Sequence, residues 1–271
     1  MYEHQIPYFN FFDRVKHTTP MKMNTAHFHN THELCFLESG KTTYFIGSEL
    51  YLLDAGDMIF VPKGDFHKTD SEESPFVERL LFMFDDEFAG EEFYTYIDEL
   101  KKNKHIRFPK EKLYKMQEIL KKIENEHNNR EKDFYEMQKL YLRQMLVLIS
   151  RYRITKTPVE FKEYYAIIQD AARYISENCN DDLSLQKLSK KYAMSPSHFS
   201  RQFKAVTGVC LNEYINISRI TAAEKLLLNT NMPITKIAME CGFNDSNYFA
   251  AVFKKIKGIT PKKYSIQSKL Y

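Results

Sequence analysis

The stretch from Leu183 to Tyr264 constrains this chain more than any other, because it is one pattern written twice. Leu185, Leu188, Tyr192 and Ala193 correspond to Ile234, Ile237, Cys241 and Gly242 at an offset of forty-nine residues. Phe199, Phe203, Lys204 and Gly208 correspond to Phe249, Phe253, Lys254 and Gly258 at an offset of fifty. The one-residue slip falls between these groups, in a turn, where a change of length costs least. Each copy therefore predicts two short helices joined by a tight turn. Phe199 and Phe203 lie four apart and form the inward stripe of the second helix. Its outward face then carries Ser197, Ser200, Arg201 and Lys204. Such side chains hydrogen-bond base edges or phosphates, and a helix presenting them fits a DNA major groove. The bland alternative is a four-helix packing unit with no nucleic-acid role.

Charge agrees with the first reading. From Phe161 onward sixteen Lys+Arg face nine Asp+Glu, a balance of +7, whereas the first 160 residues carry twenty-three against twenty-seven, or −4. A basic carboxyl half behind an acidic amino half is expected when only one half touches phosphate. The 271 residues suit two domains, and 43% hydrophobic with 28% charged residues excludes a disordered or membrane-embedded chain. Cys35, Cys179, Cys210 and Cys241 are widely spaced with no CxxC pair, so they read as small core residues rather than a disulfide or zinc framework. The amino terminus lacks a basic segment followed by an apolar run, and no uncharged stretch approaches membrane-spanning length. A soluble, cytoplasmic protein is expected.

Taken in order, residues 1–25 hold Tyr8, Phe9, Phe11 and Phe12 with Pro7 and Pro20, which read as a terminal edge strand or as an arm over the next domain. From Ala26 to Phe84 the pattern is β. Gly40, Gly47, Gly56 and Gly64, with Pro62, separate short runs rich in aromatic and β-branched residues. The expected strands are residues 27–38, 42–46, 50–53, 57–62 and 76–84, spaced as in a small barrel or sandwich. If the first is a strand, His27, His29 and Glu33 share one face by period two, and His67 joins them inside the barrel. Three imidazoles and a carboxylate suit a first-row divalent metal, a polar lining for a small ligand, or a structural hydrogen-bond network. The polar lining is the reading adopted, with no cofactor. Arg79 interrupts an apolar strand, and Tyr44 and Tyr51 sit in barrel segments; with the histidines they suit a sugar or a small acid. An Arg79 that snorkels to the rim is the alternative.

The spacing from His27 to Gly40 (H-x-H-x3-E-x6-G) and from Gly56 to His67 (G-x5-P-x-G-x2-H) resembles the paired motifs of the cupin superfamily. Two departures are a missing leading glycine in the first motif and Ser71 where the second usually closes on asparagine. Metal-binding members use the residues that correspond to His27, His29, Glu33 and His67.

Residues 85–153 turn helical. Leu113, Met116, Leu120 and Ile123 recur at helical spacing, as do Phe134, Met137, Tyr141 and Leu148, with a polar break over residues 124–133. Two amphipathic helices outside a small barrel either cap it or pair with a second copy. Residues 151–161, with Pro158, read as the linker. A helix from Glu163 follows, its apolar stripe carrying Ile167, Ala171, Tyr174 and Ile175, and Ser184 is an N-cap candidate for the first repeat.

The segments SPSHFSRQFK (195–204), RITAAEKLL (219–227), ITKIAMECGF (234–243), NYFAAVFKK (247–255) and GITPKKY (258–264) resemble the double helix-turn-helix domain of AraC/XylS transcription regulators over roughly the last hundred residues. The resemblance implies an α+β chain: a cupin-like sensing and dimerisation domain over 1–153, then a DNA-binding domain over 154–271. It implies no enzyme, and as partners promoter DNA, a small-molecule effector with a sugar as default, a second copy of the chain, and RNA polymerase. The first reading helix would use Ser195, Pro196, Ser197, Ser200, Arg201 and Lys204. The second would use Ser246, Asn247, Tyr248, Ala250, Ala251, Lys254 and Lys255, held at one helical repeat by a longer helix near Leu211 to Asn229. Ala250 and Ala251 stand where the family often has a polar residue and an arginine, and Ser265 where it often closes on arginine. Fewer base contacts are therefore expected from the second helix. A metal-dependent cupin enzyme with a DNA-binding appendage is the rival.

Overall fold

The computed structural model describes residues 11–19, 26–71, 74–154 and 163–267, and the chain forms two compact units, Met1–Glu160 and Phe161–Tyr271. The amino-terminal unit has eight strands among its described residues: β1 (Phe11–His17), β2 (His32–Ser39), β3 (Lys41–Ile46), β4 (Glu49–Asp54), β5 (Met58–Val61), β6 (His67–Asp70), β7 (Val77–Phe84) and β8 (His105–Ile106). They make a five-stranded sheet in the order β1-β7-β2-β5-β8 and a three-stranded sheet in the order β4-β3-β6, antiparallel throughout. Phe11–His17 is thus a paired edge strand; Tyr8, Phe9, Pro7 and Pro20 lie outside the described residues.

Period two decides where each side chain goes. Leu34, Phe36, Met58, Phe60, Leu80, Phe82 and Phe84 turn to one face of the large sheet, where helices cover them. Cys35, Leu37, Ile59, Val61 and Val77 turn to the other and meet Tyr44, Ile46, Tyr51 and Leu53 of the small sheet. Strands β2 and β5 are buried on both faces, which is why their sequences are nearly continuous apolar runs. At the β2–β3 turn Gly40 has φ +85°, and a Cβ there would lie 2.2 Å from the Phe76 carbonyl oxygen.

The covering helices are α1 (Asp86–Ala89), α2 (Tyr94–Lys102), α3 (Lys110–Asn129) and α4 (Phe134–Tyr152). Met116, Ile119, Leu120 and Ile123 of α3 enter the same core as Leu142, Met145, Leu146 and Ile149 of α4. Three expectations are corrected here. The polar segment 124–129 continues α3, which stops only at Arg130, in the left-handed conformation with φ 48°. The buried face of α4 is centred on Leu142, Met145, Leu146 and Ile149, with Tyr141 and Leu148 at its flanks. Its apolar run from Tyr141 to Ile149 is wide enough to fit either phase, so periodicity alone does not choose. Residues 151 and 152, expected in the linker, are the end of α4, and residues 155–162 lie outside the described part.

Asp57, 2% exposed, anchors the β4–β5 turn. It accepts from Arg107 Nε at 2.7 Å and Nη2 at 2.5 Å, from His105 Nε2 at 3.0 Å, and from the Asp54 backbone N–H at 3.1 Å. Burial alone would raise its pKa, but the bonds from Arg107 and His105 outweigh it and hold the carboxyl below its ordinary value. Its contribution is therefore full above the unfolded carboxylate range and is lost as pH falls through the lower folded value. Asp57→Ala, which leaves Arg107 only its longer pair with Asp54 and removes the partner of His105, is expected to cost the unit about 2–4 kcal/mol, discounted because Arg107 is partly exposed. Chemical denaturation at neutral pH measures it, and a loss under half a kilocalorie, read against about 0.5 kcal/mol for an ordinary surface change, would contradict it.

The carboxyl-terminal unit is helical: α5 (Glu163–Glu177), α6 (Leu185–Lys191), α7 (Pro196–Thr207), α8 (Leu211–Asn229), α9 (Ile234–Glu240), α10 (Ser246–Lys257) and α11 (Pro261–Gln267). The α5 stripe is shifted from the expected one: Ile168, Ala171, Ala172 and Ile175 are buried, and Ile167 and Tyr174 are half-buried beside them. The repeat extends further than its two helices. Phe199 and Phe203 stack at 5.7 Å, and Phe203 meets Tyr214 edge-on at 5.2 Å. Phe249, Phe253 and Tyr264 form the equivalent ladder at 5.7 and 5.4 Å, with both contacts edge-on and Tyr264 fifty residues after Tyr214.

Helix α8 serves both copies. Leu211, Tyr214, Ile215 and Ser218 form one buried stripe, and Ile220, Ala223 and Leu227 another. Nine residues separate the starts of the stripes, about half a turn out of phase, so they lie on opposite faces. The second packs into the core of the second copy with Ile237, Phe249 and Phe253.

In the turns, Ala193 and Gly242 hold equivalent places, with φ of 52° and 82°. Alanine meets a steric penalty there that glycine avoids. Ala193→Gly is expected to stabilise this unit by about 0.5–1 kcal/mol, read as a raised melting temperature in calorimetry. No rise would show that Ala193 is unstrained.

Candidate functional site

The two second helices are built alike at their starts. Ser195 caps α7, its Oγ accepting from the His198 N–H at 3.3 Å, and Pro196 follows as the first helical residue. Asp245 caps α10, accepting from the Tyr248 N–H at 2.6 Å. Both helices end on a left-handed glycine, Gly208 and Gly258. Ser184 caps α6 as expected from sequence, bonding the Lys187 N–H.

With Phe199, Phe203, Phe249 and Phe253 fully buried, the opposite faces are left to solvent. On α7, Ser197, His198, Arg201 and Lys204 are exposed and Ser200 half-buried. On α10, Asn247, Tyr248, Ala251, Lys254 and Lys255 are exposed, and Ser246 and Ala250 half-buried. Sequence reasoning misses three participants. His198 receives a hydrogen bond from Arg201 Nη2 at 3.3 Å on Nδ1. Asn216 of α8 donates to the Tyr248 hydroxyl at 3.0 Å, fixing that ring on the exposed face. Asp245 escapes notice because Ser246 beside it is also a cap former. The face is cationic at the end of each helix; the start of α7 is neutral, with backbone N–H groups that favour an anion, whereas the start of α10 already carries the Asp245 carboxylate.

The second cluster lies in the amino-terminal unit. His27 and His29 precede β2, which starts only at His32, so strand alternation is not what aligns them. An isolated two-bond bridge between His27 and His67 does so, with N–H to carbonyl distances of 2.9 Å in each direction. The ring centroids of His27 and His67 are 4.2 Å apart, and those of His29 and His67 4.9 Å. Ligand nitrogens of all three histidines fall within 4.8 Å of one another. Glu33 Oε2 lies 3.2 Å from His29 Nε2 and 3.8 Å from His67 Nε2. The four residues singled out in the sequence do converge, by a different route.

Backbone carbonyls orient the rings. His29 Nδ1 donates to the Thr31 carbonyl at 2.7 Å and His67 Nδ1 to the Asp65 carbonyl at 3.1 Å, so both present Nε2 towards Glu33. Burial pushes His67 down to about 3, which keeps it neutral with a lone pair on Nε2. For Glu33 burial alone would raise the pKa, but the hydrogen bond with His29 and the nearby positive charges oppose it and keep the carboxylate ionised. Both His29 nitrogens face oxygen acceptors, and a cation between Nε2 and Glu33 would satisfy both sides. The donor set therefore fits a first-row divalent ion held by His27, His29 and His67, with the Glu33 carboxylate beside two of them.

Arg79 is not at the rim. It is 9% exposed on β7 and donates to the Tyr44 hydroxyl at 3.2 Å, itself fully buried. Tyr51 is also buried and donates to Glu49.

Comparison with known proteins bears on both units. The helix-turn-helix domain family matches residues 188–266 and the cupin domain family residues 17–78. The chain is 25% identical over 240 residues, 88% of its length and 86% of the relative's, to the HTH-type transcriptional activator RhaR of Mannheimia succiniciproducens. It is 23% identical over 253 residues, 92% and 90% of the two lengths, to RhaR of an Enterobacter species. A solved C-terminal domain of AraT, a response regulator from Geobacillus stearothermophilus, is 30% identical to it, over 39% of this chain and 88% of that one, with a TM-score of 0.37. No helix among the described residues is long and apolar enough to cross a membrane.

Proposed function

We infer that this chain, which belongs to the AraC/XylS family of transcription regulators and carries a cupin domain at its amino end, reads promoter DNA through α7 and α10 in response to a small molecule held in its barrel. The observation that carries the reading is the pair of capped helices, fifty residues apart in sequence, that expose equivalent faces in a unit with seven excess positive charges. On α7, Ser197, Ser200 and Arg201 face base edges, while Ser195 and Pro196 set the helix start against the backbone. On α10, Asn247 and Tyr248 replace Ser197 and His198, Ala251 replaces Arg201, and Ser246 and Ala250 complete the face. Sequence discrimination therefore rests mainly on α7, with Ala250 suited to a thymine methyl.

Lys204, Lys254 and Lys255 serve phosphates. Lys254→Gln is expected to weaken binding to all DNA alike and to reduce the slope of log affinity against log salt by about 1. An unchanged slope in titrations at several salt concentrations would remove Lys254 from the interface.

Tyr114 on α3 and Tyr135 and Leu140 on α4 are 51%, 41% and 56% exposed, and these helices pair two copies of the chain. His27, His29, Glu33, Tyr44, His67 and Arg79 line the effector site; an effector that prefers one arrangement of the barrel or helices biases the presentation of the DNA-binding units. The relatives' description as activators supports recruitment of RNA polymerase as the output, and a regulator rather than an enzyme. The test is selection of genomic fragments by the full-length protein at moderate salt, followed by sequencing. A recurring motif in one or two copies is expected; random fragments only, with or without small-molecule extract, would refute specific regulation.

A second reading, a metal-dependent cupin enzyme with a DNA-binding appendage, is favoured by the converging Nε2 atoms of His29 and His67 beside Glu33. A bound ion there would supply Lewis acidity. Stoichiometric metal in the purified protein, lost in His29→Ala together with turnover of a substrate, would establish it. Metal without turnover leaves the regulator with a metal in its pocket.

A further inference from the structure

Arg79 is a buried charge whose hydrogen-bonding capacity is largely unused. Its hydrogen bond to Tyr44 uses Nη1, Nε is buried with no partner, and among the described residues no carboxylate forms an ion pair with it. A guanidinium carries five donors in a planar fork, and burying it unpaired is costly unless something completes it. Glu33 acts on it only through space. In the β2–β7 register Glu33 faces Met83 and Leu37 faces Arg79, so their backbone positions are four residues of strand apart, about 13 Å, and their side chains reach each other only electrostatically. Glu33 is occupied by the histidines at its own end of the interior.

A second unsatisfied group stands beside Arg79. On β1, Val15 faces Arg79 and His17 faces Val77, which puts His17 on the same interior-facing side of the sheet. Its Nε2 is buried without a hydrogen-bond partner. Burial and the positive charge of Arg79 both lower its pKa, placing the two groups within electrostatic reach of each other. Around them the interior is apolar, with Leu37, Val77 and Leu81.

Building on the reading of the barrel as an effector pocket, we propose that its ligand carries a carboxylate, held by the free edge of the Arg79 fork with His17 Nε2 as second donor. One guanidinium with no carboxylate in hydrogen-bond contact matches one negative charge. A phosphate dianion would bring an excess charge into a site with no second cation among the described residues, and a neutral sugar would leave the guanidinium uncompensated. The histidine cluster, at the other end of the interior, remains available for hydroxyl groups or an ion.

The test uses the full-length protein and Arg79→Met in scanning calorimetry, with acetate, lactate and D-gluconate against chloride at matched ionic strength, and D-glucose as the neutral probe. The expected result has two parts. Ligand-free Arg79→Met melts at or above the wild-type temperature, because methionine removes a buried charge that lacks an ion-pair partner among the described residues while keeping volume. At least one carboxylate raises the wild-type transition by several degrees, and the rise vanishes in Arg79→Met. Arg79→Lys, which keeps the charge and loses the fork, should need at least tenfold more ligand for the same shift. A fall of several degrees in ligand-free Arg79→Met, or equal carboxylate shifts in wild type and variant, overturns the proposal. Stabilisation of wild type by glucose and by no acid overturns the carboxylate and leaves the pocket reading intact. No stabilisation by any probe, with Arg79→Met destabilised, returns Arg79 to a structural role and removes the pocket reading as well.

Discussion

Replacing Phe203 by alanine is expected to remove about 3–5 kcal/mol from the carboxyl-terminal unit, and DNA binding with it. Phe203 is fully buried between Phe199, stacked at 5.7 Å, and Tyr214, which it meets edge-on at 5.2 Å. Truncation loses the transfer free energy of the ring, opens a cavity, and leaves two aromatic neighbours without their contact. It also frees the face of α7 opposite Arg201, so the helix no longer holds its polar face at a fixed angle. Against a typical domain stability of about 5–15 kcal/mol, the loss brings the unit near its threshold. Phe253→Ala, at the same place in the second copy, should cost about as much. The measurement is a denaturant melt followed by helical circular dichroism, with DNA affinity recorded at the same temperature. A midpoint within error of wild type for Phe203→Ala would show that the aromatic ladder is not what holds the first copy together. Phe203→Leu, which keeps most of the volume, separates folding from recognition: it should retain binding if the ring itself touches no DNA.

Arg201→Ala is expected to weaken binding to the specific site by about 1–3 kcal/mol, roughly five- to 150-fold, while leaving stability unchanged. Arg201 is exposed in the middle of the outward face of α7, one helical turn after the exposed Ser197, and is bonded to no carboxylate among the described residues. Its partner within the helix is His198 Nδ1 at 3.3 Å, which limits the directions the guanidinium samples before DNA arrives. The equivalent residue of α10 is Ala251, so the second helix offers no substitute. The loss should therefore appear as relaxed preference at one base position of one half-site, seen by comparing wild type and variant on a set of singly substituted operators. Equal weakening on specific and random DNA would make Arg201 a phosphate contact. No weakening on either would move recognition to residues other than those assigned to α7.

Local chemistry made the carboxyl-terminal unit legible from sequence. The caps Ser184 and Ser195, the closing Gly208 and Gly258, and the i, i+4 phenylalanines act over one or two turns, so reading the chain four residues at a time finds them. Most strands of the barrel were legible for the same reason, through alternation and turn glycines; the short β6 (His67–Asp70) and β8 (His105–Ile106), the latter within a stretch expected to be helical, were not, because four and two residues carry no periodicity of their own. Long-range pairing decided the rest. His27 and His29 meet Glu33 because a bridge from His27 to His67, forty residues away, folds the segment back, not because they share a strand. Arg79 is buried because β7 lies between β1 and β2 with that residue turned inward, and nothing within its own strand distinguishes that from a place at the rim. Helix α8 looks unpatterned because its two halves bury opposite faces in two different copies, a division that only the packing of both copies defines. The apolar surface of α4 was too wide for periodicity to set its phase, and contact with α3 set it. Sequence alone determined the elements, their repeat and their chemistry, since these depend on neighbours along the chain. Tertiary structure determined which charged groups share an interior and which lack a partner, since that depends on register between strands far apart in sequence.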